Sequence, residues 1–268
     1  LQRTAVDLVV LDLGLPGTSG LDLCRCLKSD RKTLSTPVVV TASVSSVETE
    51  VAALAAGADQ FLTWPLHAAV VRTRIAALLR QKAAVESLAE VEAVLYVLAQ
   101  AVEQRDEAIS GHCHRLAYIS ATLGEALGLS QAQLVALHRA AYLHDIGKVS
   151  VPDSILFKPG PLTPQEWEIM RQHPIKGEEL CRPVKSLGPV LPIIRSHHER
   201  WDGSGYPDGL AGEDIPLLAR ILQVADIYDA LTSPRPYKRP LPGPRAVEVL
   251  EEETRRGWRE PRLVHLFQ

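Results

Sequence analysis

The sequence predicts a parallel α/β sheet joined by a long helix to an all-α domain. Three observations carry that prediction. Short apolar runs alternate with helical stretches up to Leu62, residues 66–105 contain neither Gly nor Pro, and no useful strand-like alternation follows Asp106. At 268 residues, with 46% hydrophobic and 23% charged, the chain fits one or two ordinary soluble domains, and each half is long enough to bury its own core.

Residues 6–13, Val-Asp-Leu-Val-Val-Leu-Asp-Leu, form a mostly apolar run suited to a strand buried on both faces of a parallel sheet. A turn over Gly14 to Gly20 leads to a helix from Leu21 to Ser29. A second strand at Pro37 to Thr41, a helix near 47–56 and a short strand at Asp59 to Leu62 complete the pattern. Residues 66–105 are expected to be largely helical. Within them Ala84, Leu88, Val91, Leu95, Leu98 and Val102 alternate steps of four and three, which is a heptad seam. The seam fits either a dimerising, signal-transmitting helix or an amphipathic helix packed on its own downstream domain.

In the all-α part, Thr163-Pro164-Gln165-Glu166 is a capping box with Pro at the first helical position. Its helix is expected to end near His173, because Pro174 disfavours a helical residue before it. Another helix runs from Pro216 to about Ser233, and in it Asp226 falls among Leu218, Ile221, Leu222, Ala225 and Tyr228. An acid on so apolar a helix needs a partner.

A net charge of −3 gives no global field to attract nucleic acid, so DNA is not an expected partner, although Arg235, Lys238 and Arg239 form a local basic cluster. Four cysteines without a CxxC pair read as plain thiols in a reducing cytoplasm. Neither an 18-residue apolar run nor a signal peptide is present, so no membrane association is expected. The first residue is Leu1, which suggests a natural start upstream.

The chemistry concentrates in His144-Asp145, His173, His197-His198 and Asp226, with His112 upstream. Seven imidazole and carboxylate donors in one domain suit Fe, Mn, Zn or Mg, and an Asp directly after a His can bridge two ions while the His binds one. A two-metal hydrolase is the expectation from residue type alone. Lone histidines such as His67, His138 and His265 are read as surface or packing residues. His114, two residues from His112 on a helix, is expected to face away.

The first part of the chain resembles a response-regulator receiver domain, through Asp7-Leu-Val-Val-Leu-Asp-Leu-Gly-Leu-Pro-Gly-Thr-Ser-Gly20, Pro37-Val-Val-Val-Thr-Ala42 and Gly57-Ala-Asp-Gln-Phe-Leu-Thr-Trp-Pro-Leu66. The resemblance implies that Asp12 is the phospho-acceptor-like residue and Thr41 the switch hydroxyl. Two departures bear on this. The family's first strand with its acidic pair lies upstream of Leu1, and the Lys expected before Pro65 is Trp64. An acyl-phosphate at Asp12 would lack most of its charge neutralisation, so the receiver is expected to be incompetent for phosphorylation as the chain stands.

The second part is similar to an HD-GYP domain, on Gly111-His-Cys-His-Arg115, His144-Asp-Ile-Gly-Lys148, Lys158-Pro-Gly-Pro-Leu162, His173, His197-His-Glu-Arg-Trp-Asp-Gly-Ser-Gly-Tyr-Pro207 and Ser233-Pro-Arg-Pro-Tyr-Lys238. That family hydrolyses cyclic di-GMP, so the resemblance implies a metal-dependent cyclic di-GMP phosphodiesterase, giving pGpG with onward hydrolysis to GMP left open. A phosphodiester needs an activated water and neutralised charge on the attacking and leaving oxygens, and two metals supply both.

On that reading Asp145 bridges the ions. His112, His144 and Asp226 complete one ligand set, and His173, His197 and His198 the other. Lys148, four residues from His144 in a helical reading, reaches a phosphoryl oxygen, and Arg235 with Lys238 clamps the second phosphate. Family members with a third ion carry a Glu four residues before the first His; here Ala108 stands there, so two ions, iron or manganese, are expected. Asp106 is at most a supporting acid beside Lys148 or a water. Gly203, Gly205 and Pro207 are read as backbone devices.

The expected organisation is a receiver-like domain at 1–80, a linking helix at 81–105 and the phosphohydrolase domain at 106–268. Expected partners are cyclic di-GMP, a homodimer mate through the helix 84–102 and a protein docking on the loop 203–210. Two alternatives stay open: a non-catalytic cyclic dinucleotide sensor, and an HD phosphohydrolase acting on another nucleotide.

Overall fold

The predicted strand at 6–13 forms as β1 (Val9–Asp12), a shorter element whose last residue is the candidate acid. The computed structural model describes residues 6–30, 32–44, 46–104, 111–234 and 239–267, which form two units, 1–90 and 91–268. Asp106, Ala108, Arg235 and Lys238, named above, lie outside the described residues.

In the first unit β1 is followed by α1 (Gly20–Ser29), β2 (Val38–Ala42), α2 (Val47–Ala55) and β3 (Gln60–Thr63). The strands form a parallel sheet in the order β1-β2-β3, with Asp12 paired to Thr41 and Thr41 to Leu62. Every residue of β2 is buried, as the central strand of a sheet covered on both faces requires. Ser19 caps α1 through Asp22 N, and Ser46 caps α2 through Thr49 N.

The predicted long helix is α3 (Ala68–Gln104). Of the seam positions, Leu95 packs against the helical core and Val102 is buried, whereas Val91 and Leu98 are exposed. The seam therefore serves the helix's own domain at some positions and is uncovered at others.

The second unit continues with α4 (His112–Ala126), α5 (Gln131–Leu143), α6 (Asp153–Leu156), α7 (Pro164–Met170), α8 (His173–Cys181), α9 (Leu191–Ser196), α10 (Leu217–Thr232), α11 (Gly243–Arg255) and α12 (Pro261–His265). Its core is built on Leu116, Leu137, Leu143, Ile194, Ile221 and Leu222, all fully buried. Burying one such side chain contributes about 1.5–3 kcal/mol. Because α4, α5 and α10 supply most of this core, the polar residues at their ends are held by rigid elements.

Two local expectations differ from the structure. The capping box at Thr163 forms, but its helix ends at Met170, and His173 opens the next helix, with Pro174 in its first turn. Pro at that position costs nothing, because the missing N–H would have had no helical partner. The helical spacing assumed between His144 and Lys148 is also broken: α5 ends at Leu143, and Ile146–Ser150 is a 3₁₀ turn. Gly147 explains the tightness, since a Cβ there would lie 1.9 Å from His173 O and 2.5 Å from Gly177 N. The close approach of α8 to this turn brings His173 beside Asp145.

Candidate metal centre

Five short segments meet at the centre. His112 opens α4, His144 and Asp145 follow α5, His173 opens α8, His197 and His198 follow α9, and Asp226 lies in α10. Their donor atoms fall into two sets, Asp145 with His173, His197 and His198, and His112 with His144 and Asp226; within each set they lie within 4.8 Å of one another.

Asp145 faces both sets. Its Oδ1 is 3.2 Å from His173 Nε2 and 3.8 Å from His197 Nε2, and its Oδ2 is 3.4 Å from His144 Nε2. Oδ1 is buried without a hydrogen-bond donor among the described residues. Burying a carboxylate oxygen unpaired costs several kcal/mol, and a cation among the surrounding imidazoles would satisfy it. His173 Nε2 and His197 Nε2 approach to 3.3 Å, so two nitrogens aim at one space. The donor set suits a divalent transition metal.

The electrostatics agree. Burial would raise Asp145, but the Lys148 ammonium and His144 hold it well below the usual carboxylate range. Burial pushes His197 down to about 4 and His198 well below the ordinary imidazole value. Neutral imidazole is the form that ligates a metal. Burial also acts downward on His144, but the adjacent Asp145 charge outweighs it and the net shift is upward.

Three imidazoles are aimed by the backbone. Nδ1 of His144, His173 and His197 lies 3.2, 2.9 and 2.6 Å from the carbonyls of Ala141, Met170 and Ile194, each three residues earlier. A carbonyl only accepts, so Nδ1 carries the proton and Nε2 keeps its lone pair for the centre. His112 differs: its Nδ1 is 2.7 Å from the buried Asp229 Oδ2. The tilted Tyr206 ring lies 4.8 Å from the His198 ring, and the Arg171 guanidinium lies 5.5 Å from the Tyr206 centroid.

Lys148 Nζ donates to Asp145 Oδ2 at 2.5 Å, so it joins the centre through a 3₁₀ turn instead of a helix face. A cavity of about 390 Å³ opens beside these groups, a size typical of ligand sites. Its polar lining includes His112, His144, Asp145, Lys148, His198 and Asp226, with Glu103 and Tyr142, while Ala99, Val102, Leu156 and Ile227 add apolar surface. His114 faces away and meets the Tyr142 hydroxyl at 2.8 Å.

Glu199 has a role that was not read from the sequence. Fully buried, it accepts from the backbone N–H groups of Asp208, Gly209 and Leu210 at 2.7, 3.1 and 3.1 Å. It ties the 203–210 loop to the His197-His198 pair. An acid directly after two adjacent histidines and before a glycine-rich loop was the available signal. Gly203 adopts φ 79°, and a Cβ on Gly205 would lie 2.2 Å from Arg200 N, so both glycines are required by the backbone.

In the first unit Asp12 accepts from Thr41 Oγ1 at 2.7 Å and from Gly14 N at 2.8 Å. These bonds hold its carboxyl below the ordinary value.

Comparison with known proteins accounts for both units. Residues 96–263 match the HD domain model and residues 1–76 the response regulator receiver domain model. The chain is 39% identical to the cyclic di-GMP phosphodiesterase response regulator RpfG of Xanthomonas campestris pv. campestris, over 87% of this chain and 67% of that protein. It is 35% identical to a cyclic di-GMP phosphodiesterase of Thermotoga maritima, over 98% of this chain and 78% of that protein. Among solved structures it shares a fold with Bd1817, an HDG"Y"P protein from Bdellovibrio bacteriovorus, at a TM-score of 0.52 and 24% identity, over 68% of this chain and 63% of that one. With its His-Asp pair set between two groups of imidazoles and its Gly-Tyr-Pro loop tied to them, the chain belongs to the HD domain family in its HD-GYP form, carried beside a response regulator receiver domain.

Proposed function

We propose that the chain is a metal-dependent phosphodiesterase that hydrolyses cyclic di-GMP to pGpG. The carrying observation is the two donor sets facing opposite oxygens of one half-buried aspartate, beside a cavity of ligand size. The names of the relatives above support the substrate. His112, His144 and Asp226 would hold one ion, His173, His197 and His198 the other, and Asp145 both. Two divalent ions, iron or manganese, would supply an activated water and neutralise charge on the phosphoryl oxygens.

The chain's own groups then have distinct tasks. Lys148, anchored on Asp145, faces the cavity and offers its ammonium to a phosphoryl oxygen. Arg235 and Lys238 neutralise the second phosphate, on the strength of their spacing. The apolar lining excludes water from the rest of the dinucleotide. Residues 1–80 are assigned to the receiver part, 81–105 to the linking helix and 106–268 to the hydrolase. Exposed Val91, Val94, Val97 and Leu98 support a second copy docking along 84–102, and the anchored 203–210 loop is a surface for a protein partner. The four free cysteines are in keeping with a cytoplasmic protein.

The test is anaerobic loading with Fe²⁺ or Mn²⁺, addition of cyclic di-GMP and separation of products. Appearance of pGpG is expected. Tight binding without product at full metal occupancy would overturn catalysis in favour of a sensor, and faster turnover of a different nucleotide would overturn the substrate.

A further inference from the structure

We infer that Asp229 is a positioning residue that sets the affinity of one metal site and not the other, which rests on reading His112 as a metal ligand. Of the four imidazoles at the centre whose Nδ1 has a partner among the described residues, three use a carbonyl three residues away in sequence. His112 instead uses a carboxylate 117 residues away. Asp226 and Asp229 lie one turn apart on α10, and the His112 ring is held between them: Nε2 is 3.4 Å from Asp226 Oδ1 and Nδ1 is 2.7 Å from Asp229 Oδ2.

Asp229 is itself fixed. It is 2% exposed, receives Arg115 Nε at 2.5 Å and Nη2 at 3.1 Å, and accepts the Ser233 hydroxyl at 3.0 Å. A forked guanidinium contact allows the carboxylate little rotation. The Nδ1–H of His112 therefore points at a full negative charge in fixed geometry, whereas the other three point at neutral carbonyls. A carboxylate behind an imidazole both orients the ring and makes its other nitrogen a stronger donor. This effect reaches only the set formed by His112, His144 and Asp226. Among the described residues no carboxylate stands behind Nδ1 of His173 or His197, so the two sets are unequally supported.

The test uses the full chain stripped of metal and titrated with Mn²⁺, with free Mn²⁺ followed by its electron paramagnetic resonance signal. Asp229→Asn keeps the shape and an acceptor for Nδ1 but removes the charge. It is expected to weaken one of two binding steps by on the order of 10- to 100-fold and leave the other within about twofold. Asp229→Ala is expected to weaken the same step further. Equal weakening of both steps, or no change in either, in an Asp229→Asn protein with unaltered circular dichroism would overturn the inference. A wild-type chain that binds no Mn²⁺ would overturn the metal reading itself, and this inference with it.

Discussion

Asp12 and Asp145 are two aspartates in one chain with opposite bonding states. Asp12 ends a strand and accepts from a hydroxyl and a backbone N–H, both neutral donors. Asp145 follows a helix, is enclosed by imidazoles and one ammonium, and retains a buried oxygen that no described group satisfies. The first acid is complete within the protein. The second is incomplete without a cation, which separates a residue that can stand alone from one that predicts a cofactor.

The largest expected effect tests that contrast directly. Asp145→Asn removes the charge shared by both donor sets and is expected to cut cyclic di-GMP turnover on the order of 10³-fold or more, read by product formation alongside metal analysis. Undiminished turnover would remove Asp145 from the mechanism. Replacing Lys148 by Met comes next: a loss of on the order of 10²-fold in kcat, with metal content nearly unchanged, is expected from steady-state kinetics. A fall in metal content instead would make Lys148 a support for Asp145 alone.

Glu199→Gln sharpens the comparison from a third acid, fully buried where Asp145 is half-buried, and satisfied by backbone N–H groups. The amide keeps one acceptor, so a loss of about 1–3 kcal/mol in urea unfolding is expected.

The pH dependence of the metal-free chain follows from the imidazoles. His197 is shifted by burial from 6.5 to about 4, so between those values the unfolded chain binds more protons than the folded one. The contribution is fully present above about pH 6.5 and is lost as pH falls toward 4. His198 acts in the same direction, and His144, raised above its ordinary value, offsets part of it. Urea midpoints measured in chelator should fall across that window, and a flat profile would contradict the burial of these rings. The smallest effect is expected at Asp12: Asp12→Asn should leave the metal-to-protein ratio unchanged by elemental analysis.

Residue types at this centre were legible because ligating side chains cannot be replaced without losing the chemistry, and their motifs are short. The packing was less so. The 3₁₀ turn at Ile146–Ser150 depends on α8 pressing against Gly147, a contact between segments about 30 residues apart that no local periodicity records. Asp229 could be read as a buried hydrogen-bonding acid, but its pairing with His112 depends on α4 packing against α10. The sheet was legible from its apolar runs, with strand ends shifted by one to a few residues because the turns fix where pairing stops.

The carbonyls behind His144, His173 and His197 belong to the main chain, so substitution of the side chains at Ala141, Met170 or Ile194 leaves the acceptors in place. Those three rings are mutationally robust in their aim. His112 is held by a side chain, which one nucleotide change can alter. The aim of the His112 ring is therefore the one most readily changed by a single substitution, at Asp229.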